Sequence, residues 1–408
     1  MANRRSALIA VALLGLAVSG CGGGSPSASK SKTAGTIGAG SSLPPSTAPA
    51  SSVPSTAAPT MLPAATQGSA GEVPWSIVGS GWLLAQWSAS NPDASASGTA
   101  TSTSTLFLID PEGGRYDLGL APSATQLSDW SGDGHRALLV SSDSSSATVL
   151  DLQTDSTNSI SIGAQQPFAD LDFTRPTGQA FIVPGMSQES GTTPIQRFSL
   201  AGSLQQSYPT TFPEAGSSDG SYVESPDGAD LALDTRNGLE LVSNGGQPVA
   251  FLPFPPGQST CSVVRWWNAD EMLDSCPSQL WLVPASGSSP TPLTSAASPG
   301  AYLDAWSLPE GTYVEEGACG TTWLDNLNAD GSTNRLAVPN TPTGGSVAGL
   351  GAFGNQLAIT LTPGCDTGSA APTSNSLSWY DPATDVVTPL LGSRVNGGWV
   401  DQAVLFGS

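Results

Sequence analysis

One short cassette recurs along this chain and constrains its fold more than any other feature: an apolar strand, a tight turn, then a more polar strand. It occurs seven times, at Thr105–Tyr116, Ala147–Asp155, Ile195–Ser203, Leu239–Gly246, Leu280–Gly287, Thr322–Gly331 and Leu377–Thr384. Successive copies begin mostly 41 to 48 residues apart, rising to 55 before the last. A second hairpin lies between them, clearest at Asp129–Val140 and Glu224–Leu233 and weaker at Asp172–Val183, Trp267–Leu273, Trp306–Val314 and Gly351–Ile359. Its Asp-Gly, Pro-Glu-Gly and Gly-Asn pieces supply positive φ or a side-chain bond back to the turn. The apolar residues that follow alternate as in a half-buried strand. Two hairpins per period make one four-stranded blade, and repetition at this length is the mark of a repeat architecture. The expectation is an all-β protein, a β-propeller of seven four-stranded blades, with eight or six as alternatives. No segment sustains a 3.6-residue apolar period, so long helices are not expected.

Trp130-Ser131-Gly132-Asp133-Gly134 and Ser225-Pro226-Asp227-Gly228 resemble the W-S-P-D-G turn of TolB-like propeller repeats, relatives of the WD-repeat class. The resemblance spans nearly all of residues 72–408, although only these two blades carry the motif well. Val73–Ser88 and Arg394–Phe406 each read as a hairpin left over from the count. The C-terminal strands are therefore expected to pair with the N-terminal blade and shut the ring, which removes exposed edges.

The N-terminal part has a different composition. Arg4 and Arg5 precede an uncharged, mostly apolar run, Ser6–Gly20. That run is shorter than the ~20 apolar residues a membrane-spanning helix needs, and it reads as a signal-peptide core. It ends in Val18-Ser19-Gly20-Cys21, which resembles the bacterial lipobox. The resemblance implies cleavage before Cys21, lipidation of its thiol and attachment to the outer side of the cell membrane. The arginine pair is only a fragment of a twin-arginine signal and does not select an export route. From Gly22 to Gly71 the chain is almost entirely Ser, Ala, Pro, Thr and Gly, with Lys30 and Lys32 as its charges. Such a segment buries too little apolar surface to offset its ordering entropy and is expected to be a disordered stalk with a reach of ~40 Å. The expected organisation is a signal peptide at 1–20, lipidated Cys21 and linker at 21–71, and a propeller at 72–408.

From Glu72 onward there are 33 acidic residues against eight arginines and no lysine, a difference of 25 negative charges. That excess excludes nucleic acid as a partner by repulsion and disfavours direct docking on anionic lipid. Four cysteines follow Cys21: Cys261, Cys276, Cys319 and Cys365. An even count in an oxidising compartment points to two disulfides, for which three pairings are formally open. Cys261 and Cys276 flank a symmetric hairpin around Asn268-Ala269, while Cys319 and Cys365 fall in the B–C loops of adjacent blades, counting strands A to D outward. Cys261–Cys276 and Cys319–Cys365 are the expected pairs. Without CxxC spacing, and with a single histidine, no metal site is expected.

Nothing in the sequence supplies a nucleophile set. The only histidine, His135, sits in an A–B turn and reads as a turn residue rather than a catalytic base. Neither a phosphate-binding glycine loop nor a dinucleotide motif occurs, and no cofactor is expected. Asp129, Asp172 and Asp304 hold similar places near inner strands and are candidates to face the central channel, as paired carboxylates do in glycosidases. Trp130, Phe173, Trp267 and Trp306 correspond to one another, with Arg265 and Trp266 beside Trp267. Repeated aromatics of this kind pack between blades or form a channel rim that stacks on a ligand. Asp129, Trp130, Asp172, Arg265, Trp266, Asp304 and Trp306 are thus the candidate ligand or partner contacts. The longest loops, Ser88–Ser104 and Pro363–Ser376, are expected on the same face as the cysteines. The reading that follows is a non-catalytic interaction module of the cell envelope, meeting another exported protein or a cell-wall component. The alternative is a carboxylate-based hydrolase or lyase acting on envelope glycans.

Overall fold

A computed structural model describes residues 60–89, 103–162, 171–188, 191–296, 300–318, 320–363 and 375–407. The signal segment, Cys21, most of the linker, Cys319 and Cys365 lie outside the described residues. So do the middles of both long loops.

The described chain is a seven-bladed β-propeller. The inner strands, in ring order, are Trp399–Leu405, Thr125–Trp130, Asp172–Phe173, Gly216–Glu224, Ser262–Trp266, Ala301–Leu308 and Ser346–Phe353, and they belong to blades 1 to 7. Each of the seven recurring cassettes forms the C–D hairpin of one blade, and each intervening hairpin forms an A–B pair. Blade 3 carries an extra hairpin, Met186–Gln188 with Gly191–Thr193, in its B–C connection. Blade 4 adds a short strand, Thr211–Phe212, beside its inner strand.

The blades are held by seven apolar clusters, one in each seam between neighbours. This arrangement corrects the expectation of half-buried strands. In strand B of blade 2, Ala137, Leu138 and Leu139 are all fully buried. Ala137 and Leu139 face blade 1, whereas Leu138 faces blade 3. A blade has a neighbour on both faces, so strands such as Arg136–Ser141, Asp230–Thr235 and Gln356–Thr362 are buried on both sides, whereas the inner strand Ser346–Phe353 keeps an alternating pattern.

The ring closes as expected in destination but not in detail. Trp399–Leu405 becomes the inner strand of blade 1 and pairs antiparallel with Leu83–Ser88, from Leu83 opposite Leu405 to Ser88 opposite Trp399. The two leftover segments are not hairpins. Each gives one strand, and the two together make a single A–B pair. The folded part also begins earlier than Glu72, within the stretch assigned to the linker. Gln67–Ser69 runs parallel to Arg115–Asp117 as a fifth, outermost strand of blade 1. Leu62 donates its N–H to the Tyr116 hydroxyl at 3.1 Å, and Met61 and Leu62 pack against the blade 1–2 core.

Cys261 and Cys276 are joined as expected, with Cα atoms 4.2 Å apart. They continue the register in which Ser262 faces Ser275. Replacing both by serine removes a cross-link with a sequence separation of 15 residues. The double variant should lose about 2–3 kcal/mol in urea unfolding, with most of the loss reproduced by reducing the wild type.

Candidate functional site

The A–B turns are built by one repeated device. In blade 2 the Ser131 hydroxyl donates to Asp133 Oδ1 at 2.6 Å and accepts the Arg136 N–H at 3.0 Å. Asp133 Oδ1 also accepts the His135 N–H at 3.1 Å. In blade 4 Ser225 donates to Asp227 Oδ1 at 2.7 Å and accepts the Asp230 N–H at 3.0 Å, while Asp227 Oδ1 takes the Ala229 N–H at 3.0 Å. These bonds explain the Ser-x-Asp-Gly spacing: the serine closes the turn and the aspartate caps the amide after glycine. His135 is one of these turn residues. Its Nδ1 lies 2.7 Å from Gln153 Nε2, and its ring meets Trp75 at 5.9 Å.

The inner ends of blades 2, 3 and 4 converge on Arg175, in the A–B turn of blade 3. Arg175 Nη1 pairs with Asp129 Oδ2 of blade 2 at 3.1 Å. Its backbone N–H donates to Glu224 Oε2 of blade 4 at 2.6 Å. Asp129 Oδ2 also accepts the Phe173 N–H of blade 3 at 2.7 Å, and the Tyr222 hydroxyl donates to Asp172 Oδ2 at 2.7 Å. Three acidic side chains from three consecutive blades thus surround one guanidinium. Burial pushes the Asp129 carboxyl above its ordinary value, and the Asp172 charge adds to this against the pull of Arg175. Burial likewise pushes Glu224 up to about 7, opposed by the Arg175 amide and charge. The negative charge of Asp129 in turn raises Arg175.

The turns around this centre interlock. A Cβ on Gly132 of blade 2 would lie 1.7 Å from the Pro176 carbonyl oxygen, and one on Gly228 of blade 4 would lie 2.0 Å from the Arg175 carbonyl oxygen. The glycines of the motif therefore serve the contact between blades as well as the turn.

The remaining candidates divide differently from their sequence positions. Asp304 is not near Asp129 and Asp172 in the ring order. It belongs to blade 6, where its Oδ1 accepts from Arg265 Nε of blade 5 at 2.8 Å. Arg265 also donates to the Ala305 carbonyl, and its guanidinium lies 5.3 Å from the Trp267 ring and 5.9 Å from the Trp306 ring. Trp130 and Trp306 are buried in the seams of blades 1–2 and 6–7, and Phe173 is buried in the blade 2–3 seam. Trp130 packs edge-on against Phe406 with ring centres 5.1 Å apart. Trp306 fills space that a Cβ on Gly349 would occupy, at 2.4 Å. Trp130, Phe173 and Trp306 pack between blades, one of the two roles open to them. Trp266 is half-buried against the blade 4–5 core, and its indole nitrogen has no hydrogen-bond partner.

Sequence reasoning missed Arg175, Tyr222 and Glu224 as site residues. Glu224 opens a recognised turn cassette, but nothing local marks it as the blade 4 counterpart of a cluster that starts in blade 2. It also missed a set of buried acceptors that stitch the seams. Gln86 in blade 1 takes the Leu127 N–H at 2.6 Å and donates to the Thr125 carbonyl at 2.8 Å. Asp234 in blade 4 takes the Val263 N–H at 2.8 Å, and Glu315 in blade 6 takes the Gly349 N–H at 2.9 Å. These side chains satisfy inner-strand amides that no ladder reaches. Gln86→Leu should cost about 2–4 kcal/mol, because it strands one buried donor and one part-buried acceptor. The readout is the urea midpoint at constant m-value.

No protein-family model matches the chain, and no curated protein matches its sequence. Solved structures do match in fold. The β-propeller domain of the Trilobed protease from Pyrococcus furiosus is similar at 10% identity over 78% of this chain and 95% of that one, with a TM-score of 0.51. Apo AztD from Citrobacter koseri shares 12% identity over 80% of this chain and 98% of its own, with a TM-score of 0.45. TolB from Acinetobacter baumannii shares 12% over 79% and 66%, with a TM-score of 0.42. At such identities the likeness speaks to fold alone, and by its blades, seams and closure this chain is a seven-bladed β-propeller.

Proposed function

We propose that the chain is an exported lipoprotein, anchored through a lipid on Cys21 at the outer side of the cell membrane. Its propeller acts there as a non-catalytic module that binds another exported protein or a cell-wall component. The observation that carries this reading is the use made of the inner-strand carboxylates. Asp129 holds Phe173 and Arg175 of the next blade, Asp172 is held by Tyr222, and Asp304 is held by Arg265. Groups that a hydrolase would keep open toward substrate are committed to joining blades. A rigid scaffold then offers its loops for recognition. The anchor is tested by Cys21→Ser, which should move the protein from the detergent phase to the aqueous phase in a phase-separation assay. Recognition is tested by in-cell crosslinking to a defined partner, before and after shortening residues 90–102 and 364–374. A crosslink pattern indifferent to that shortening would falsify the loop-face assignment.

One observation favours the second reading, a carboxylate-based glycan hydrolase. Glu224 is held with a proton near neutrality beside Asp172 and Asp129, and its Oε1 has no hydrogen-bond partner. A general acid requires that property. Release of reducing ends from purified cell-wall glycan, abolished by Glu224→Gln, would establish it. Equal release by both proteins, or none by either, removes it.

A further inference from the structure

We propose that blade 5 is a proton-locked segment of the ring: its seams with blades 4 and 6 are held shut by buried carboxyl groups that must carry a proton, and they loosen when the proton is lost. This inference is independent of the functional reading above.

The first lock is Asp274, in strand Glu271–Cys276 of blade 5. It is 1% exposed and lies in alternation with Met272 and Cys276, which pack into the blade 4–5 core. Its Oδ1 has no hydrogen-bond partner, and among the described residues no cation pairs with it. The charged groups around it give no compensation. Asp234, on the facing strand of blade 4, is acidic and takes the Val263 N–H, and Val263 is the cross-strand neighbour of Asp274. Arg265, on the adjacent strand, is turned to Asp304 and Ala305 of blade 6. A buried carboxylate without donors or a counter-charge is strongly disfavoured, so the group stays neutral.

The second lock is on blade 6, where Glu316 and Asp325 are both buried. Strand alternation puts Glu316 on the same face as Val314 and Asp325 on the same face as Leu327, and both of those residues pack toward blade 5. The two carboxyl groups lie on one buried face of the blade, and the neighbouring Glu316 favours a proton on Asp325. Thr333 Oγ1 donates to Glu316 Oε1 at 2.9 Å and Trp323 Nε1 to Asp325 Oδ2 at 3.1 Å. Arg335, stacked 3.6 Å over the Trp323 ring, is the cation of this face. From blade 5, strand Gln279–Pro284 brings no ionisable side chain, and strand Glu271–Cys276 brings Glu271, bonded to Asn268 in the turn. Strand Ser346–Phe353 of blade 7 brings none.

Blade 5 is also built to yield between these seams. Its outer strand is two residues long, Thr291–Pro292, against three to seven in the outer strands of the other blades. The Cys261–Cys276 bridge ties its two inner strands together at one end, so that they part from their neighbours as a unit.

Burial pushes Asp274 up to about 7, and burial together with the Glu316 partner pushes Asp325 up to about 7. Both lie above the ordinary carboxylate value of 3.8 that applies to the unfolded chain. The folded state therefore binds protons that the unfolded state has released. The stabilisation is complete below about pH 4 and is lost as pH rises through about 7.

Hydrogen exchange read by mass spectrometry, corrected for intrinsic rates, tests this on the whole protein. Between pH 6 and 8.5 the protection of 262–266, 271–276 and 279–284 should fall about tenfold or more relative to 346–353 and 356–362 of blade 7, which contain no ionisable side chain. In Asp274→Asn/Asp325→Asn, where amides mimic the neutral acids, the relative fall should disappear. Blade 5 tracking blade 7 at every pH overturns the proposal, as does a double variant that keeps the wild-type fall. If the double variant does not fold, the wild-type comparison between blades decides alone.

Discussion

Replacing Arg175 by methionine should destabilise the propeller by about 3–5 kcal/mol at pH 8, and by much less at pH 5. Arg175 is the cation at the meeting of Asp129, Asp172 and Glu224, and the variant leaves three acids from three blades facing one another. The loss exceeds that of an exposed ion pair because Asp129 is buried and its charge has no route to water. The pH dependence follows from the direction of the shifts. Glu224 is pushed up to about 7 and Asp129 is raised as well even with the guanidinium present. Groups whose folded values are raised contribute stability at low pH and lose it as pH rises through the folded value. Removing Arg175 raises them further, so the deficit opens across neutrality and closes in acid, where the acids are protonated. Urea midpoints at pH 5 and pH 8 give the comparison. Equal deficits at the two values would mean that Arg175 acts through packing alone. Arg175→Lys separates charge from shape, since it keeps the cation and loses the fork.

The second large effect is steric. Gly132→Ala should cost about 3 kcal/mol or more, because its Cβ would sit 1.7 Å from the Pro176 carbonyl oxygen, and a backbone atom in an interlocked turn has little freedom to move. Gly228→Ala should cost at least as much, since it adds a φ of +71° to a 2.0 Å approach on the Arg175 carbonyl oxygen. Gly354→Ala is the control: its φ is +59°, but nothing lies within 4 Å of the added Cβ. It should cost only about 1 kcal/mol, the strain of a left-handed alanine. Thermal or urea unfolding of the three variants separates the two terms. Similar losses at Gly132 and Gly354 would show that the turns of blades 2 and 3 do not interlock as described.

Both sites lie at a boundary that the sequence announces only in part. The Ser-x-Asp-Gly turns were legible because every bond in them spans five residues or fewer, from Ser131 to Arg136 or Ser225 to Asp230. The Cys261–Cys276 bridge was legible for the same reason, since its partners flank one local hairpin. The aromatics stayed open between packing and a channel rim, because a repeated Trp or Phe beside an inner strand is the same signal whether it meets a neighbouring blade or solvent. Only the burial of Trp130 and Trp306 decides between the two. Asp129, Asp172 and Asp304 were legible as equivalent positions but not as unequal ones. Two of them join Arg175 and Glu224, while the third meets Arg265 on the other side of the ring.

The sequence by itself determined the blade, its repetition and the number of repeats, because hairpins are closed by turn residues and apolar patterns that act over a few positions. Tertiary structure alone decided how the repeats become a ring. Leu83–Ser88 takes as its partner a strand more than three hundred residues away, and Gln67–Ser69 is drawn out of the linker onto the edge of blade 1. The packing of neighbouring blades also places Asp274, Asp325 and Glu316 inside seams where water cannot compensate a charge. Those outcomes depend on which faces meet, and a face acquires its partner only when the neighbouring blade is in place.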